Sequence, residues 1–140
     1  MVLKLHAISF WLWERKVPWL PRVIQGILRI LFAVALPPSV RFGRGVTLGY
    51  SGLGTVIHAR AVIGNRVIIG PNVTIGGRSG HTEAPVIEDD VEIGSGAKIL
   101  GPIRLGAGSI VGANAVVISD VAPRAVVVGI PARTIKYVPD

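Results

Sequence analysis

An aliphatic residue returns every six positions between residues 57 and 117 of this 140-residue chain. Ten of the eleven slots hold Ile, Leu or Val, and the eleventh holds His81. The next position is often Gly, and the position two before the aliphatic residue holds a small or β-branched residue. Helices repeat every 3.6 residues and plain strands every two, so a constant period of six indicates a repeat architecture built from short strands.

Six residues suffice for one short strand and one corner. The aliphatic residue and the residue two before it point to the same side of a strand, which we assign to the core. Glycine permits the tight backbone of the corner. Three strands and three corners close a triangular coil of 18 residues, so residues 18 apart should stack. The predicted walls are Ile57, Ile75, Ile93 and Val111; Ile69, Ile87 and Leu105; and Ile63, His81, Ile99 and Val117.

Because His81 interrupts the third wall, we expect the chain to leave the coil there and to form a projecting loop over residues 76–85. Residues 1–36 differ in composition from the coils, since they contain all three Trp of the chain. We expect them to form an amphipathic helical arm that Pro18 and Pro21 divide in two. Residues 1–45 also carry +6 of the net charge of +7.

The arm has two predicted roles that do not exclude each other. The first is to cap the strand edge that a solenoid exposes at its end. The second is peripheral membrane contact through residues 1–36, with Trp at the interface and basic side chains facing anionic lipid. The apolar stretch over residues 23–36 is too short to span a bilayer, and no cleavable signal peptide is evident. We expect a cytoplasmic protein, at the inner face of the membrane if the arm binds lipid.

Composition and motifs argue against several classes of function. The chain has no Cys, so it has no disulfide and no thiolate site. It has no nucleic-acid-binding motif, and we expect no nucleic-acid partner. The acidic residues at 88–92 alternate along a strand and corner, and only His58 and His81 lie in the solenoid. We therefore expect no metal site, since a catalytic zinc on this scaffold needs three protein ligands.

The hexads, the loop that follows Gly76-Gly77 and the terminal Gly129-Ile130-Pro131-Ala132-Arg133 resemble the acyltransferase branch of hexapeptide-repeat proteins, and most of all the serine acetyltransferases. The resemblance covers residues 40–136. It implies a mainly β fold: a left-handed parallel β-helix at 39–128, after a helical arm at 1–38 and before a closing segment at 129–140. It also implies a homotrimer, with acetyl-CoA bound as co-substrate in grooves between neighbouring subunits.

The expected reaction is transfer of acetyl from acetyl-CoA to a hydroxyl group. The acceptor is either the small molecule serine or a sugar of a surface-polysaccharide precursor. A non-catalytic solenoid scaffold is a further alternative. Transfer requires a base for the hydroxyl proton, and histidine titrates near neutral pH. His58, at a corner, and His81, where the family places an active-site His, are the candidates, whereas His6 in the arm is expected to be a structural or a surface residue.

Further site residues follow from the same resemblance. Tyr50, Arg78 and Glu83 are candidates for acceptor binding, and Glu83 is a candidate to orient His81. Small residues let the pantetheine arm of CoA lie against the coil, and basic residues pair with its phosphates. The candidate CoA-binding residues are Gly77, Ser95, Gly96, Ala97, Ala113, Arg133 and Lys136.

The chain departs from the family in the early coil. Serine acetyltransferases carry an Asp-His pair there, but this chain reads Gly49-Tyr50, and the position of their second acid falls near Ala35. If the reaction is retained, either His58 supplies the base or His81 acts alone.

Overall fold

The computed structural model describes all 140 residues and places two helices before a three-sided solenoid. Helix α1 spans Val2–Glu14 and α2 spans Leu20–Phe32. Pro21 lies in the first turn of α2, where a missing N–H removes no helical hydrogen bond. The predicted division of the arm into two helices is confirmed. Neither helix has the length and hydropathy required to cross a membrane.

Three parallel sheets form the faces of a triangular prism. The first sheet contains β1 (Arg41–Phe42), β4 (Val62–Ile63), β7 (Val86–Ile87) and β10 (Arg104–Leu105). The second contains β2 (Thr47–Leu48), β5 (Ile68–Ile69), β8 (Glu92–Ile93), β11 (Ile110–Val111), β13 (Ala125–Val128) and the antiparallel β14 (Arg133–Tyr137). The third contains β3 (Val56–Ile57), β6 (Thr74–Gly76), β9 (Lys98–Leu100) and β12 (Val116–Val117). The predicted fold class is confirmed.

The aliphatic residues of the hexads fill the inside of the prism. They form one cluster of 25 buried residues with the small and β-branched residues that precede them. The corners are as tight as the glycine pattern predicts. A Cβ on Gly94 would lie 2.7 Å from the amide nitrogen of Ala113 in the next coil, a distance that no side chain tolerates.

The stacking of the coils corrects the predicted walls. Ile75 pairs with Ile99, 24 residues later, and not with Ile93. The 18-residue interval returns after the loop, where Ile93 pairs with Val111. The loop therefore adds six residues, the length of one hexad, so the sequence period continues across it and conceals the change of wall. His81 lies in this loop and belongs to no wall, as the interruption of the pattern indicated.

Both ends of the solenoid are covered. The N-terminal arm buries Val2, Leu28 and Val34 in the same core as the coils. The chain then joins the third sheet, because Ala35 forms a parallel bridge with Val56. At the other end, the antiparallel strand β14 covers the edge of β13 and ends the parallel ladder. The arm thus contributes to the cap, as one of its two predicted roles requires.

Candidate active site

The predicted site residues divide between two edges of the prism that border the third sheet. We define the loop edge as the corners at residues 58–61, 76–85, 101–103 and 118–121. We define the groove edge as the corners at residues 49–55, 70–73, 94–97, 112–115 and 129–132. The strands β3, β6, β9 and β12 lie between these edges, so the two sets of side chains are separated by one face of the prism.

His58 lies on the loop edge, directly after β3. Its ring lies against the backbone of Gly77, where an added Cβ would stand 3.5 Å from Nε2. The backbone N–H of Arg60 donates to Nδ1 at 3.1 Å, so Nδ1 carries no proton. The neutral ring consequently holds its proton on Nε2, the atom next to the loop. This geometry favours His58 as a hydrogen-bond donor and not as the base.

The projecting loop is held against the corner of His58. Arg60 donates from Nη1 to the carbonyl of Thr82 at 2.7 Å. The backbone N–H of His81 donates to the carbonyl of Arg78 at 3.1 Å, which closes a turn through Gly80 at φ 84°. His81 is exposed, and neither of its ring nitrogens has a hydrogen-bond partner. The structure therefore brings His58 and His81 to the same edge and leaves the His81 ring free to accept a proton.

The two charged candidates of the loop make few contacts. Arg78 packs its side chain over Gly101, with its Cβ 3.3 Å from the position of an added Cβ there. Glu83 is exposed and forms no ion pair and no side-chain hydrogen bond, so it does not orient His81 within one chain.

A groove of about 500 Å³ runs along the groove edge. It contains three of the predicted CoA-binding residues, namely Ser95, Gly96 and Ala113. Asn72, Lys98, Asn114, Val116 and Ile130 complete its lining. Gly96 has φ 76°, and a Cβ there would lie 2.0 Å from Oδ1 of Asn114, so this wall has room for backbone alone.

Two of the predicted CoA contacts lie elsewhere. Ala97 is fully buried in the core. Its N–H donates to Gly94 at 3.2 Å and its carbonyl accepts from Thr74 at 3.0 Å, so its side chain does not line the groove in the single chain. The residue two before each aliphatic residue points inward, and Ala97 occupies such a position. Gly77 is exposed but lies on the loop edge, beside His58.

The remaining candidates lie outside the groove. Tyr50 is 82% exposed, with φ 49°, at the start of the groove edge and across the third sheet from His58. Arg133 follows Ala132, whose N–H donates at 2.8 Å to Val116 in the groove wall. Lys136 lies three residues further along β14, about 10 Å from Arg133.

The acidic run has structural partners on the remaining edge. Asp89 accepts from the backbone N–H of Asn65 at 2.8 Å, and these hydrogen bonds from Asn65 hold the pKa of Asp89 below its ordinary value. Hydrogen bonds from Arg104 and the Ala107 N–H lower the pKa of Glu88, and one from Arg66 lowers that of Asp90. No group of three or more His, Cys, Asp or Glu side chains is arranged to hold a metal ion.

Four residues of these edges were not predicted from sequence. Arg60 fixes the tautomer of His58 and holds the loop, while Asn72, Lys98 and Asn114 line the groove. Lys98 also donates from Nζ to the carbonyl of Asn72 at 2.9 Å. Asn72 and Asn114 occupy the same hexad position as the predicted groove residue Gly96. The true 24-residue interval across the loop is needed to place Asn72 beside Ser95 and Gly96.

Comparison with known proteins supports the family resemblance. The family model for the bacterial transferase hexapeptide (six repeats) matches residues 84–119. The serine acetyltransferase of Mycobacterium tuberculosis is 42% identical over 132 residues, which cover 93% of this chain and 57% of that protein. The serine acetyltransferase of Escherichia coli K12 is 38% identical over 135 residues, or 95% of this chain and 49% of that protein.

Solved structures agree with the sequence comparison. Soybean serine acetyltransferase complexed with serine superimposes with a TM-score of 0.90 at 38% identity, covering 96% of this chain and 56% of that one. The serine acetyltransferase of Neisseria gonorrhoeae gives a TM-score of 0.93 at 35% identity, covering 99% of this chain and 55% of that one. The chain therefore spans about half the length of the relatives it matches.

Proposed function

We propose that this chain, a hexapeptide-repeat protein homologous to the C-terminal half of serine acetyltransferases, transfers acetyl from acetyl-CoA to a hydroxyl group. The observation that carries the proposal is the groove lined by Ser95, Gly96 and Ala113. A narrow pantetheine chain fits where the wall is backbone and small side chains. Arg133, at one end of the groove, and Lys136 beyond it supply positive charge for the phosphates of CoA.

The proposed chemistry uses the free ring of His81. His81 removes the proton of the acceptor hydroxyl as its oxygen attacks the thioester carbonyl carbon. The new C–O bond forms, the C–S bond breaks, and the thiolate of CoA receives the proton that His81 holds. His58 presents Nε2–H on the same edge, as a donor to a developing oxyanion or to the acceptor. No metal is required by this sequence of steps.

The proposed site requires more than one copy of the chain. The loop edge holds both histidines and Gly77, whereas the groove edge holds Ser95, Gly96 and Ala113, and a face of the prism separates them. A homotrimer in which the loop edge of each subunit faces the groove edge of the next would join the two sets at three equivalent sites. Such cyclic assembly also shields the thioester from water.

Serine is the first acceptor to test. The soybean relative was solved with serine, and it aligns with 96% of this chain at 38% identity. Tyr50, Arg78 and Glu83 are the proposed acceptor contacts. Because this chain has Gly49-Tyr50 in place of the Asp-His pair that the family resemblance led us to expect, a sugar hydroxyl is the second candidate. The phenol ring of Tyr50 is larger than the imidazole ring of a histidine and is suited to stacking on a sugar ring.

The test is thiol release from acetyl-CoA in the presence of serine, of other hydroxy amino acids and of a panel of sugars and sugar nucleotides. Acceptor-dependent release supports transfer and identifies the acceptor class. If calorimetry detects no binding of CoA at millimolar concentration, the proposal is wrong and a scaffold role replaces it.

Mixing two inactive variants tests the shared site. His81→Ala removes the proposed base from the loop edge, and Ala113→Trp fills the groove of the other edge. In randomly mixed trimers, about a quarter of the sites combine an intact loop edge from one variant with an intact groove edge from the other. Mixing equal amounts should therefore restore about a quarter of the wild-type activity. Two fully folded but inactive variants that gain nothing on mixing would indicate a site within one subunit.

A further inference from the structure

Helix α2 carries apolar side chains around more of its circumference than it buries. Pro21 and Leu28 face the solenoid and are buried. Val23, Ile27 and Ile30 lie on the outward side, with exposed fractions of 45%, 44% and 83%. The role of the arm as a cap explains why the face with Pro21 and Leu28 is buried, but it does not explain why the outward face is apolar. The outward face is an apolar strip along successive helical turns that stays largely accessible in the single chain.

Two of the three Trp of the chain, Trp11 and Trp19, add to the exposed apolar surface of the arm. Trp11, Trp13 and Trp19 are 50%, 46% and 69% exposed, so none is part of the core. The indole ring has an apolar body and one N–H donor, and it concentrates where hydrocarbon meets water. We define the outer arm surface as Trp11 and Trp19 together with Val23, Ile27 and Ile30. Trp13 lies instead on the face of α1 that carries the buried Val2, His6 and Ser9, and it lines a cleft with residues of the solenoid.

The charges beside the outer arm surface are basic and unpaired. The arm contains five basic residues and one acid, Glu14, and none of these residues forms an ion pair: Lys4, Arg15, Lys16, Arg22 and Arg29. Of the ten basic residues after the arm, three have carboxylate partners, namely Arg66, Arg104 and Arg124. Arg15 lies over the ring of Trp11, 3.7 Å from its centroid. The arm therefore presents cations without internal counter-charges.

We propose that the outer arm surface binds the headgroup layer of an anionic lipid bilayer. The indole and aliphatic side chains would enter the interfacial layer, and the flanking Arg and Lys side chains would meet acidic headgroups. Because neither helix is long enough to span a bilayer, the arm lies along the surface.

A second copy of the same face is a poorer occupant. Helix α2 has no acidic residue, so pairing two such helices would bring Arg22 and Arg29 toward the same charges on the other copy. An anionic bilayer has the complementary charge. This inference does not depend on the proposed transferase reaction, and it leaves the inner face of the arm in place as a cap.

The experiment uses the full chain with vesicles of phosphatidylcholine alone and with about 30% phosphatidylglycerol, measured by co-sedimentation. Since all three Trp lie in the arm, a blue shift of intrinsic fluorescence reports on arm insertion without any label. We expect binding to the anionic vesicles only, a blue shift, and weakening by salt.

Three variants sharpen the result. Ile30→Glu should reduce the partition coefficient on the order of tenfold. The double change Arg22→Gln and Arg29→Gln should reduce it by roughly fivefold for each arginine. Ile68→Glu is the matched control, because Ile68 is an exposed apolar residue, 46% accessible, on β5 of the second sheet and outside the arm. It should leave vesicle binding unchanged.

Light scattering separates lipid binding from self-association. The proposal is overturned if the protein binds neither vesicle, or if Ile30→Glu lowers the oligomeric mass of the lipid-free protein, which would make the outer arm surface a subunit contact. Circular dichroism confirms that each variant is folded before it is compared.

Discussion

His6 donates a hydrogen bond from Nε2 to the carbonyl of Val40 at 3.0 Å, and this bond joins α1 to the start of the first coil. The ring also meets Phe42 edge-on, with centroids 5.0 Å apart at 82°. Its Nδ1 is buried and has no partner. Burial lowers the pKa of His6, and the hydrogen bond to Val40 opposes this only in part. Of the two expectations from the sequence, a structural or a surface residue, this placement agrees with the structural one.

Protonation of His6 should therefore lower the stability of the fold as the pH falls. The folded state keeps His6 neutral, whereas the unfolded chain protonates it below pH of about 6.5, so stability is present above that value and is lost below it. We expect the urea midpoint to fall between pH 7.5 and pH 5.5. His6→Phe keeps an aromatic ring but removes the titrating group, so the urea midpoint should change less between these two pH values. The same substitution removes the hydrogen bond to Val40 and should lower the free energy of unfolding at pH 7.5 by on the order of 1 kcal/mol.

His81→Ala is the control for this prediction, because His81 is exposed and should not alter the pH dependence. If the urea midpoint falls by the same amount between pH 7.5 and pH 5.5 in the wild type and in His6→Phe, the pH dependence arises from other groups.

The projecting loop should be dispensable for folding. Deletion of residues 78–83 removes six residues and leaves a corner of ordinary length between Ile75 and Ile87. Since loop closure depends weakly on length, the free energy of unfolding should change by about 1 kcal/mol or less. The same deletion removes His81 and should abolish acetyl transfer. Loss of the cooperative unfolding transition would show that the loop is part of the core.

The two histidines of the loop edge should differ in their effect on turnover. His81→Ala removes the proposed base and should lower kcat by roughly 10²–10⁴. His58→Ala removes one hydrogen-bond donor and should cost about tenfold. Steady-state kinetics with the best acceptor measures both, and the reverse order would assign the base to His58.

The hydrogen bonds that Asp89 accepts from Asn65 should stabilise the fold, and this contribution should be lost at a lower pH than that of His6. The pKa of Asp89 is lowered in the folded state, so its contribution is present above the unfolded value of about 4 and is lost as the pH falls through the folded value. Asp89→Asn should lower the urea midpoint at pH 6, and the difference should vanish near pH 2. Glu92→Gln, at an exposed position in β8 with no side-chain hydrogen bond, is the matched control and should change little.

The period of six determined the solenoid, its aliphatic interior and its glycine corners, because each of these follows from short-range alternation and sterics. It also located the loop, since His81 broke the pattern. The pattern did not determine the walls: an insertion of one full hexad keeps the period and moves every later strand to the next face. Only the tertiary structure paired Ile75 with Ile99.

The same limit applies to the site. Residue types and a family resemblance selected Ser95, Gly96 and Ala113, and the structure places them in one groove. The tautomer of His58 depends on a backbone N–H two residues away, and the separation of the histidines from the groove depends on which edge each corner occupies. These are properties of three-dimensional packing, because a six-residue repeat specifies what faces inward and leaves open which outward corners meet.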